Sequence, residues 1–324
     1  MTDRRHVIAL CGGVGGAKLA FGLTRILSPQ DLTIVVNTGD DFEHLGLSIS
    51  PDIDTVAYTL SDLADRERGW GRKDESWNFM AALTALGGED WFNLGDRDLA
   101  MHVERTRRLA AGETLSRITA DLTTALGIGH PVVPMSDQPV RTVLETAHGD
   151  LAFQTYFVRE RCQPAVSAVR YVGADVARPA PIFAGLLARK DIAAVVLCPS
   201  NPYLSIDPIL AIPGVREALK ALAAPIVAVS PIIGDTALKG PAAKLMTELG
   251  ARPGVVDLVR HYDGLLDGLV IDHANAEDVT ALQALGVPPL VTDAIMRSDD
   301  DRARLARETL TLAHGLFQPL PEYD

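Results

Sequence analysis

Cysteine is scarce in this chain and positive charge is in deficit, and each shortage excludes a class of protein. The three cysteines, Cys11, Cys162 and Cys198, lie far apart, so no paired spacing predicts a zinc site. An odd, scattered set also argues against a secreted disulfide framework. With 30 basic against 42 acidic residues, the formal charge is −12. Duplex nucleic acid requires a basic footprint, so we expect no nucleic-acid partner.

Long hydrophobic runs are also lacking. The run nearest the N-terminus, Val7–Cys11, is too short for a signal-peptide core or a membrane span, which predicts a cytoplasmic protein without a membrane partner. The 47% of hydrophobic residues lies near the globular average and excludes a disordered or fibrous chain. A chain of this length buries roughly three quarters of its unfolded surface, so it folds without a metal or disulfide.

Short apolar runs bounded by turn residues alternate with stretches of helical periodicity. The runs predict strands at Val7–Cys11, Leu32–Val36, Ala193–Leu197, Ile226–Val229 and Leu269–Ile271. Helices are predicted at Ala17–Leu27, Val215–Ala223, Ala242–Leu249 and Ala276–Leu285. This alternation indicates right-handed βαβ units, and therefore an α/β fold of one Rossmann-like domain over residues 1–324 with a doubly wound, mostly parallel sheet.

The middle of the chain departs from that alternation. Residues 55–127 are charged and mostly helical in pattern, without a convincing strand. Three alternating segments then predict an antiparallel patch, at Val140–Glu145, Leu151–Val158 and Val166–Val172. We therefore predict that residues 55–172 form a helical and small β insertion, or cap, over the ligand crevice.

Four glycines follow the first predicted strand, at Gly12, Gly13, Gly15 and Gly16. Glycine lets a backbone turn sharply and approach a ligand closely, with peptide N–H groups aimed at an anion. The spacing fits neither the dinucleotide fingerprint G-x-G-x-x-G nor the Walker pattern. A tight turn that only packs helix on strand is the alternative, but four glycines at the carboxyl end of a strand favour a ligand site.

Four aspartates lie close together after the second predicted strand, at Asp40, Asp41, Asp52 and Asp54. Hard carboxylate oxygens suit Mg²⁺, which takes one or two carboxylates together with substrate phosphates. A carboxylate here can also accept a proton from an attacking hydroxyl. For Asp54 alone, helix capping explains the position equally well.

Three further segments are weaker candidates for a binding site. Asp96 and Arg97 precede a helix predicted from Leu99, and the alternative is that Asp98 caps this helix while Arg97 forms a surface ion pair. Ser200 and Asn201 stand between two prolines after a buried strand, and Gly234 follows another. A rigid turn explains the prolines equally well. Placed at one sheet edge, however, these loops predict a ligand that spans the crevice.

Longer motifs recur in one order from end to end. They are GGVGGAK, VVNTGDDFEHLGLSISPDIDTVAYTL, GWG, LGDRDLAMH, PMSDQPVRTVLET, PSNPYLSIDPILAIPG and SPIIG followed by KGPAAKLM. Together they resemble the 2-phospho-L-lactate transferase family (CofD-like), which builds the deazaflavin coenzyme F-420. The resemblance covers nearly the whole chain.

The resemblance implies a Mg²⁺-dependent transfer by a homodimeric enzyme. A phospholactyl-type group moves from a guanosine-diphosphate-activated donor to the ribityl hydroxyl of the deazaflavin Fo, and GMP leaves. Asp54 is then expected to contact the Fo ribityl chain and the metal, as base or ligand, and Asp40 is the second catalytic and metal-binding candidate. Asp96 and Arg97 are expected along Fo or the transferred phosphate.

The resemblance places the guanosine diphosphate on a set of small residues from three loops: Gly12, Gly13, Gly15, Gly16, Ser200, Asn201 and Gly234. One departure lies in the first loop, where some members have GGTGTPK and this chain has GGVGGAK. That change leaves three donor groups open, namely phospholactyl, phosphoenolpyruvyl and phosphoglyceryl.

Two other functions remain open from the sequence. A related family of sugar-nucleotide-binding regulators shares the Rossmann-like core, and such a protein has no transferase activity. LGDRD and the tryptophans Trp70, Trp77 and Trp91, which either pack or line a pocket for a flat ring, argue against it. A nicotinamide-dependent dehydrogenase is disfavoured by the spacing of the first glycine loop.

Overall fold

The computed structural model describes residues 5–234, 236–237 and 240–317. Fourteen strands occur in this part of the chain: β1 (His6–Cys11), β2 (Leu32–Val36), β3 (Phe42–His44), β4 (Leu47–Ile49), β5 (Val132–Pro134), β6 (Arg141–Thr146), β7 (Gly149–Ala152), β8 (Val166–Val172), β9 (Ile192–Leu197), β10 (Ile226–Val229), β11 (Ile232–Ile233), β12 (Thr236–Ala237), β13 (Gly268–Asp272) and β14 (Pro289–Thr292).

The α-helices of the same residues are α1 (Gly13–Thr24), α2 (Pro51–Leu60), α3 (Asn78–Ala85), α4 (Asp98–Ala110), α5 (Leu115–Ala125), α6 (Pro181–Leu187), α7 (Asp207–Leu210), α8 (Val215–Ala221), α9 (Ala242–Glu248), α10 (Val255–Tyr262), α11 (Val279–Ala284) and α12 (Asp299–Leu316). Short 3-10 or π turns cover Thr155–Arg159, Ala174–Val176, Pro202–Ile206 and His273–Asp278. None of the helices within the described ranges combines the length and apolar character that a membrane span requires.

Seven parallel strands form the central sheet, in the order β14-β13-β10-β9-β1-β2-β5. Every residue of β1, β2, β10 and β13 is buried, because helices cover both faces of a parallel sheet, and apart from His6, Thr33 and Asp272 these strands are apolar. The predicted doubly wound α/β sheet is confirmed, and all five predicted strands are present.

The direction of winding reverses beside β1. From β1 the chain proceeds through β2 to β5 on one side, and it then returns to build β9, β10, β13 and β14 on the other. In such a sheet the turns that follow the two strands at the reversal, here β1 and β9, border a crevice where ligands bind. The glycine turn and the turn containing Ser200 and Asn201 are these two turns.

The segment 55–172, predicted as one insertion, is divided in the structure. Residues 132–134 form β5 and pair with β2 at the edge of the central sheet, so they belong to the core. The antiparallel patch is present as a three-stranded sheet in the order β7-β6-β8. Its second predicted strand is shorter than expected, since Thr155–Arg159 is a π turn. A cap over the crevice remains a prediction for the helices and this small sheet.

Several short strands and one strongly charged helix were not predicted from the sequence. The strands β5 and β14 have three and four residues, and the hairpin β3–β4 has three residues on each side. The longest helix, α12, was missed because its sequence DDDRARLARETLTLAHGL is strongly charged. It packs on α1 so closely that a Cβ atom on Gly22 would lie 2.1 Å from the carbonyl oxygen of Arg302.

Candidate active site

The glycine turn after β1 is the first turn of a helix. Gly12 is the N-cap and α1 begins at Gly13, whereas the periodicity placed the helix start at Ala17. A Cβ atom on Gly15 would lie 2.4 Å from the carbonyl oxygen of Pro199, and the same atom on Gly16 would lie 2.4 Å from Ser200 Oγ. Glycine is therefore required here for the close approach of the turn after β9.

Ser200 joins the two turns at the crevice. It is buried, its hydroxyl accepts a hydrogen bond from Gly12 N–H at 3.1 Å, and it donates to the Gly12 carbonyl oxygen at 2.9 Å. The hydroxyl is thus occupied by backbone groups within the protein. This reciprocal pair fixes the turn after β9 against the N-terminus of α1.

A carboxylate of the protein occupies the N-terminus of α1. Asp52, in the first turn of α2, accepts a hydrogen bond from Gly13 N–H at 2.6 Å and another from Asn37 Nδ2 at 2.9 Å. Burial raises the pKa of Asp52 to about 6 despite these hydrogen bonds. The negative charge that a helix N-terminus attracts is therefore supplied in part by the chain itself.

Asp40 and Asp41 lie beside Asp52 at the carboxyl end of β2, and all three are buried. Burial, with the nearby charge of Asp52, raises the pKa of Asp40 well above its ordinary range. Burial also raises the pKa of Asp41 to about 7, although the Arg141 guanidinium and a hydrogen bond from Ser50 oppose the shift. Carboxylates in this state are stabilised by any cation that enters the cluster.

Several buried polar atoms around the acidic cluster have no hydrogen-bond partner among the described residues. They are Thr38 Oγ1, Asp41 Oδ1, Thr142 Oγ1 and Asn201 Nδ2. Unpartnered polar atoms cost free energy in a protein interior and are rare. Their position near the carboxyl ends of β2 and β9 and the start of β6 makes this edge a candidate site for a polar ligand.

Asp54 is held by a buried cation. Arg105, on α4, donates to both carboxylate oxygens of Asp54, and its Nη1 is 3.1 Å from Oδ2. His102 Nδ1 lies 3.6 Å from the same oxygen. Burial raises the pKa of Asp54, and the charges of Arg105 and His102 oppose that rise. The side chain does not cap α2, since Ser50 is the N-cap.

The polar contact between α2 and α4 extends beyond Asp54. His102 Nε2 lies 3.2 Å from Asp98 Oδ2, and the Tyr58 hydroxyl donates a short hydrogen bond to Asp98 Oδ1. Sequence reasoning missed Arg105, His102 and Tyr58. A signal was present, because Asp98, His102 and Arg105 are spaced four and three apart and therefore share one helix face.

Asp96 and Arg97 are placed differently from Asp54. The Asp96 carboxylate accepts hydrogen bonds from Ser76 Oγ at 2.7 Å and from the backbone N–H groups at the start of α3, and the Ser76 bond contributes most to lowering its pKa to about 2. The N–H of Arg97 donates to Glu75. Arg97 is exposed, and its guanidinium forms no ion pair with the residues that the structure describes. Asp96 thus stabilises a helix, and its contact with a substrate stays a prediction, as does that of the exposed Arg97 side chain.

Asn201 and Gly234 belong to two neighbouring loops of the same sheet edge. Asn201 Oδ1 caps the turn Pro202–Ile206 by accepting from Tyr203 N–H at 3.0 Å and Leu204 N–H at 3.2 Å. Gly234 exchanges two hydrogen bonds with the buried Asn275 side chain, at 2.9 and 3.1 Å. Both loops are therefore preorganised by the protein itself, and Asn275 was not singled out in the sequence.

Aromatic side chains cluster beside the hairpin β3–β4. Phe42, His44, Trp91 and Phe92 form edge-to-face or tilted contacts with centroids 4.8 to 6.1 Å apart, and the guanidinium of Arg159 lies 5.9 Å from the Trp91 ring centre. His44 Nε2 is buried without a described partner. Trp91 thus packs in an aromatic cluster, and His44 Nε2 is the polar atom of this cluster without a described partner.

The donor set of the site fits a divalent cation. Asp54, Asp98 and His102 each offer one ligand atom, and the three atoms lie within 4.8 Å of one another. Asp40 and Asp41 add buried carboxylates with raised pKa values. Carboxylate oxygens with one imidazole form a ligand set that hard and borderline divalent ions accept.

Comparisons with known proteins agree with this architecture. The family model of 2-phospho-L-lactate transferase CofD matches residues 7–308. A phosphoenolpyruvate transferase of Streptomyces coelicolor is 40% identical, covering 95% of this chain and 98% of the relative. A 2-phospho-L-lactate transferase of Methanosarcina mazei is 38% identical, covering 93% and 98%.

Among solved structures, a UPF0052 family protein of Bacillus halodurans matches with a TM-score of 0.61 and 16% identity, covering 95% of this chain and 99% of that one. This likeness concerns the fold alone. The extent of the family match and the identity to two differently named transferases go further, and they show that the chain belongs to the 2-phospho-L-lactate transferase family CofD.

Proposed function

We propose that this protein transfers a phosphate-linked three-carbon acid from a guanosine-diphosphate-activated donor to the ribityl hydroxyl of the deazaflavin Fo, releasing GMP, in coenzyme F-420 biosynthesis. The observation that carries the proposal is the meeting of buried carboxylates with the glycine turn and the Ser200–Asn201 turn at the switch point. Family membership and the printed names of the relatives supply the reaction class.

The chemistry asks for positioning more than for covalent help from the protein. The ribityl oxygen forms a bond to the phosphorus of the acid-bearing phosphate, the phosphoanhydride bond to GMP breaks, and the hydroxyl proton passes to a carboxylate. Such transfers depend on in-line placement and on neutralising charge at the phosphate oxygens. The acidic cluster at the crevice supplies acceptors for the proton and ligands for a cation that neutralises the diphosphate.

We assign Asp54 and Asp40 to the metal and the attacking hydroxyl. Both oxygens of Asp54 already accept from Arg105, so this carboxylate has a fixed orientation and suits anchoring. Among the described residues no guanidinium pairs directly with Asp40, although the charge of Arg141 acts on it, and its raised pKa suits acceptance of a proton. When bound, Mg²⁺ supplies positive charge to the donor diphosphate.

We place the donor nucleotide along the loops after β1, β9 and β11. Asn201 Nδ2 supplies an unpartnered donor group, and the backbone at Gly13 and Gly234 is open, with no atom closer than 4.0 Å to an added Cβ. We propose that Gly12, Gly15 and Gly16 contribute through the close packing of the turn itself. Ser200 contributes through the turn that it fixes, because its own hydroxyl is occupied. Arg97, the exposed cation of the GDRD segment, is proposed to lie along Fo or the transferred phosphate.

The deciding experiment is mass spectrometry of purified protein with Mg²⁺, Fo and each of three guanylylated donors, carrying phospholactate, phosphoenolpyruvate or phosphoglycerate. The phosphodiester product with GMP from one donor confirms the proposal and identifies the donor. Reactions with chelator or without Fo are the controls. Absence of product from all three overturns it, and binding of a uridine-diphosphate sugar without turnover would then favour the regulatory protein.

We also propose that the protein acts on small molecules and that it forms a homodimer, as the family resemblance implies. Light scattering combined with size-exclusion chromatography measures the mass of the assembly. A mass of one chain, 34.7 kDa, contradicts this part of the proposal.

A further inference from the structure

A buried guanidinium lies directly behind the carboxylate that the proposed reaction uses. Arg105 is 1% exposed, and it donates to both oxygens of Asp54. We propose that Arg105, supported by His102, is a positioning residue that fixes the orientation of the Asp54 carboxylate toward the reacting groups. This inference rests on the proposed function, and it adds a role to two residues of α4.

The geometry of the pair explains why arginine is needed. A planar guanidinium matches both oxygens of a carboxylate, whereas the ammonium group of lysine is a point charge that contacts one oxygen at a time. Each carboxylate oxygen has two lone-pair sites, so the fork of Arg105 leaves one on each oxygen of Asp54 available. The paired carboxylate therefore cannot rotate, yet it keeps the capacity to bind a cation or a hydroxyl.

Arg105 is itself held in place. Its Nη1 donates to the Ser48 carbonyl oxygen at 3.2 Å and lies 3.3 Å from His102 Nδ1. The Thr106 hydroxyl accepts from Ser48 N–H at 2.7 Å and donates to the His102 carbonyl oxygen at 2.7 Å, which ties α4 to β4. The guanidinium thus has one position relative to both β4 and α2.

His102 extends the same network toward the GDRD segment. Its Nε2 lies 3.2 Å from Asp98 Oδ2, and the backbone N–H of Asp98 donates to Glu75 at 2.9 Å. These close contacts place Asp54, His102 and Asp98 next to one another, and the loop that carries the candidate Fo contact Arg97 directly precedes the same helix.

The first variant removes the planar guanidinium of Arg105 and keeps a positive charge at that position. Arg105→Lys is expected to lower kcat about 10- to 100-fold, as loss of a residue that orients a catalytic ligand does. The KM values for donor and Fo should change far less, because Arg105 contacts neither substrate in this assignment. Rates are counted per folded molecule, from the folded fraction that circular dichroism measures for each variant.

Arg108→Lys is the matched control. Arg108 lies on the same helix and pairs with Glu113 and Asp121, away from Asp54. Its kcat should equal that of the wild type. A loss of the same size in Arg108→Lys and Arg105→Lys would show that α4 only stabilises the fold, and it would overturn the positioning role.

His102→Gln is the second variant, and it keeps the inference testable if Arg105→Lys does not fold. It should lower kcat by a smaller factor with little change of KM and no change of Mg²⁺ affinity, since it supports Arg105 rather than contacting Asp54 at hydrogen-bond distance. A weaker Mg²⁺ affinity would instead identify His102 as a metal ligand and overturn its positioning role. A wild-type kcat in either folded variant overturns the inference while leaving the transferase proposal intact. A wild-type protein that makes no product from any donor overturns the proposed function itself.

Discussion

The glycine turn and the acidic cluster of Asp40, Asp41, Asp52 and Asp54 lie at one edge of the sheet, but they satisfy their polar groups differently. In the glycine turn, the N–H and carbonyl of Gly12 are both bonded to the Ser200 hydroxyl. In the acidic cluster, carboxylates are buried, with raised pKa values, and Asp41 Oδ1 has no described partner.

The difference shows that the glycine turn serves packing, whereas the acidic cluster suits ligand binding. The glycine turn is needed for packing, since side chains there would collide with the turn after β9. The acidic cluster stabilises the fold poorly, because burying like charges with so few cations is unfavourable. Residues that reduce the stability of a protein in this way are expected at functional sites, where a ligand offsets the cost. The acidic cluster is therefore the part of the site that a ligand completes.

The largest loss of activity is expected from a substitution in the acidic cluster. Asp54→Asn should lower kcat at least about a hundredfold, because the amide replaces an anionic ligand with a neutral one. Asparagine keeps one acceptor for Arg105, so the loss of stability should stay below the roughly 3–5 kcal/mol for a buried charge without its partner. Product formation and thermal unfolding measure the two effects. Asp150→Asn, at an exposed pair with Arg170, is the control, and an equal loss there would contradict the assignment.

The next largest effect is a loss of stability expected from a substitution in the glycine turn. Gly15→Ala should lower the free energy of unfolding by about 1–3 kcal/mol, because its methyl group would collide with the backbone of Pro199. Denaturant unfolding measures this. Gly185→Ala is the matched control, since Gly185 lies in α6 with nothing within 4 Å of an added Cβ, and alanine there should be neutral or stabilising. Equal stability of both variants would show that the turn is not closely packed.

The pH dependence of stability tests whether the acidic cluster, unlike the glycine turn, reduces the stability of the fold. Asp41 has a pKa of about 7 when folded, against 3.8 ordinarily, so the folded state binds more protons than the unfolded state between these values. The stability that Asp41 contributes is present at low pH and falls by up to about 1.4 kcal/mol per pH unit as the pH rises toward 7. Urea unfolding of metal-free protein at several pH values measures the slope. Asp41→Asn should make it less steep, while the raised pKa values of Asp40, Asp52 and Asp54 maintain part of it, and an unchanged slope would contradict the shift.

The smallest expected effect concerns the turn after β9. Asn201→Ser keeps a capping oxygen and removes the unpartnered Nδ2, so it should weaken donor binding about five- to tenfold, the value of one hydrogen bond. Fo binding should not change. Calorimetry with each ligand measures both affinities. An unaltered donor affinity would show that Asn201 serves only to cap the turn Pro202–Ile206.

The sequence by itself determined five of the seven strands of the central sheet, because short apolar runs such as Ile226–Val229, bounded by turn residues, are typical of strands buried on both faces. It also placed the glycine turn and Asp40 at the carboxyl ends of β1 and β2, since motifs that follow strands lie at one edge of a parallel sheet. Short elements escaped prediction, as β5 shows, because three residues carry no measurable periodicity.

Only the tertiary structure decided which side chains meet. Arg105 lies 51 positions from Asp54, and nothing local to either residue indicates the pair. Asp96 and Asp54 look alike as acids near helix starts, yet Asp96 caps α3 from outside and Asp54 pairs with a cation between α2 and α4. The physical reason is that partner choice depends on how helices pack, and packing is a property of the whole chain rather than of a local pattern.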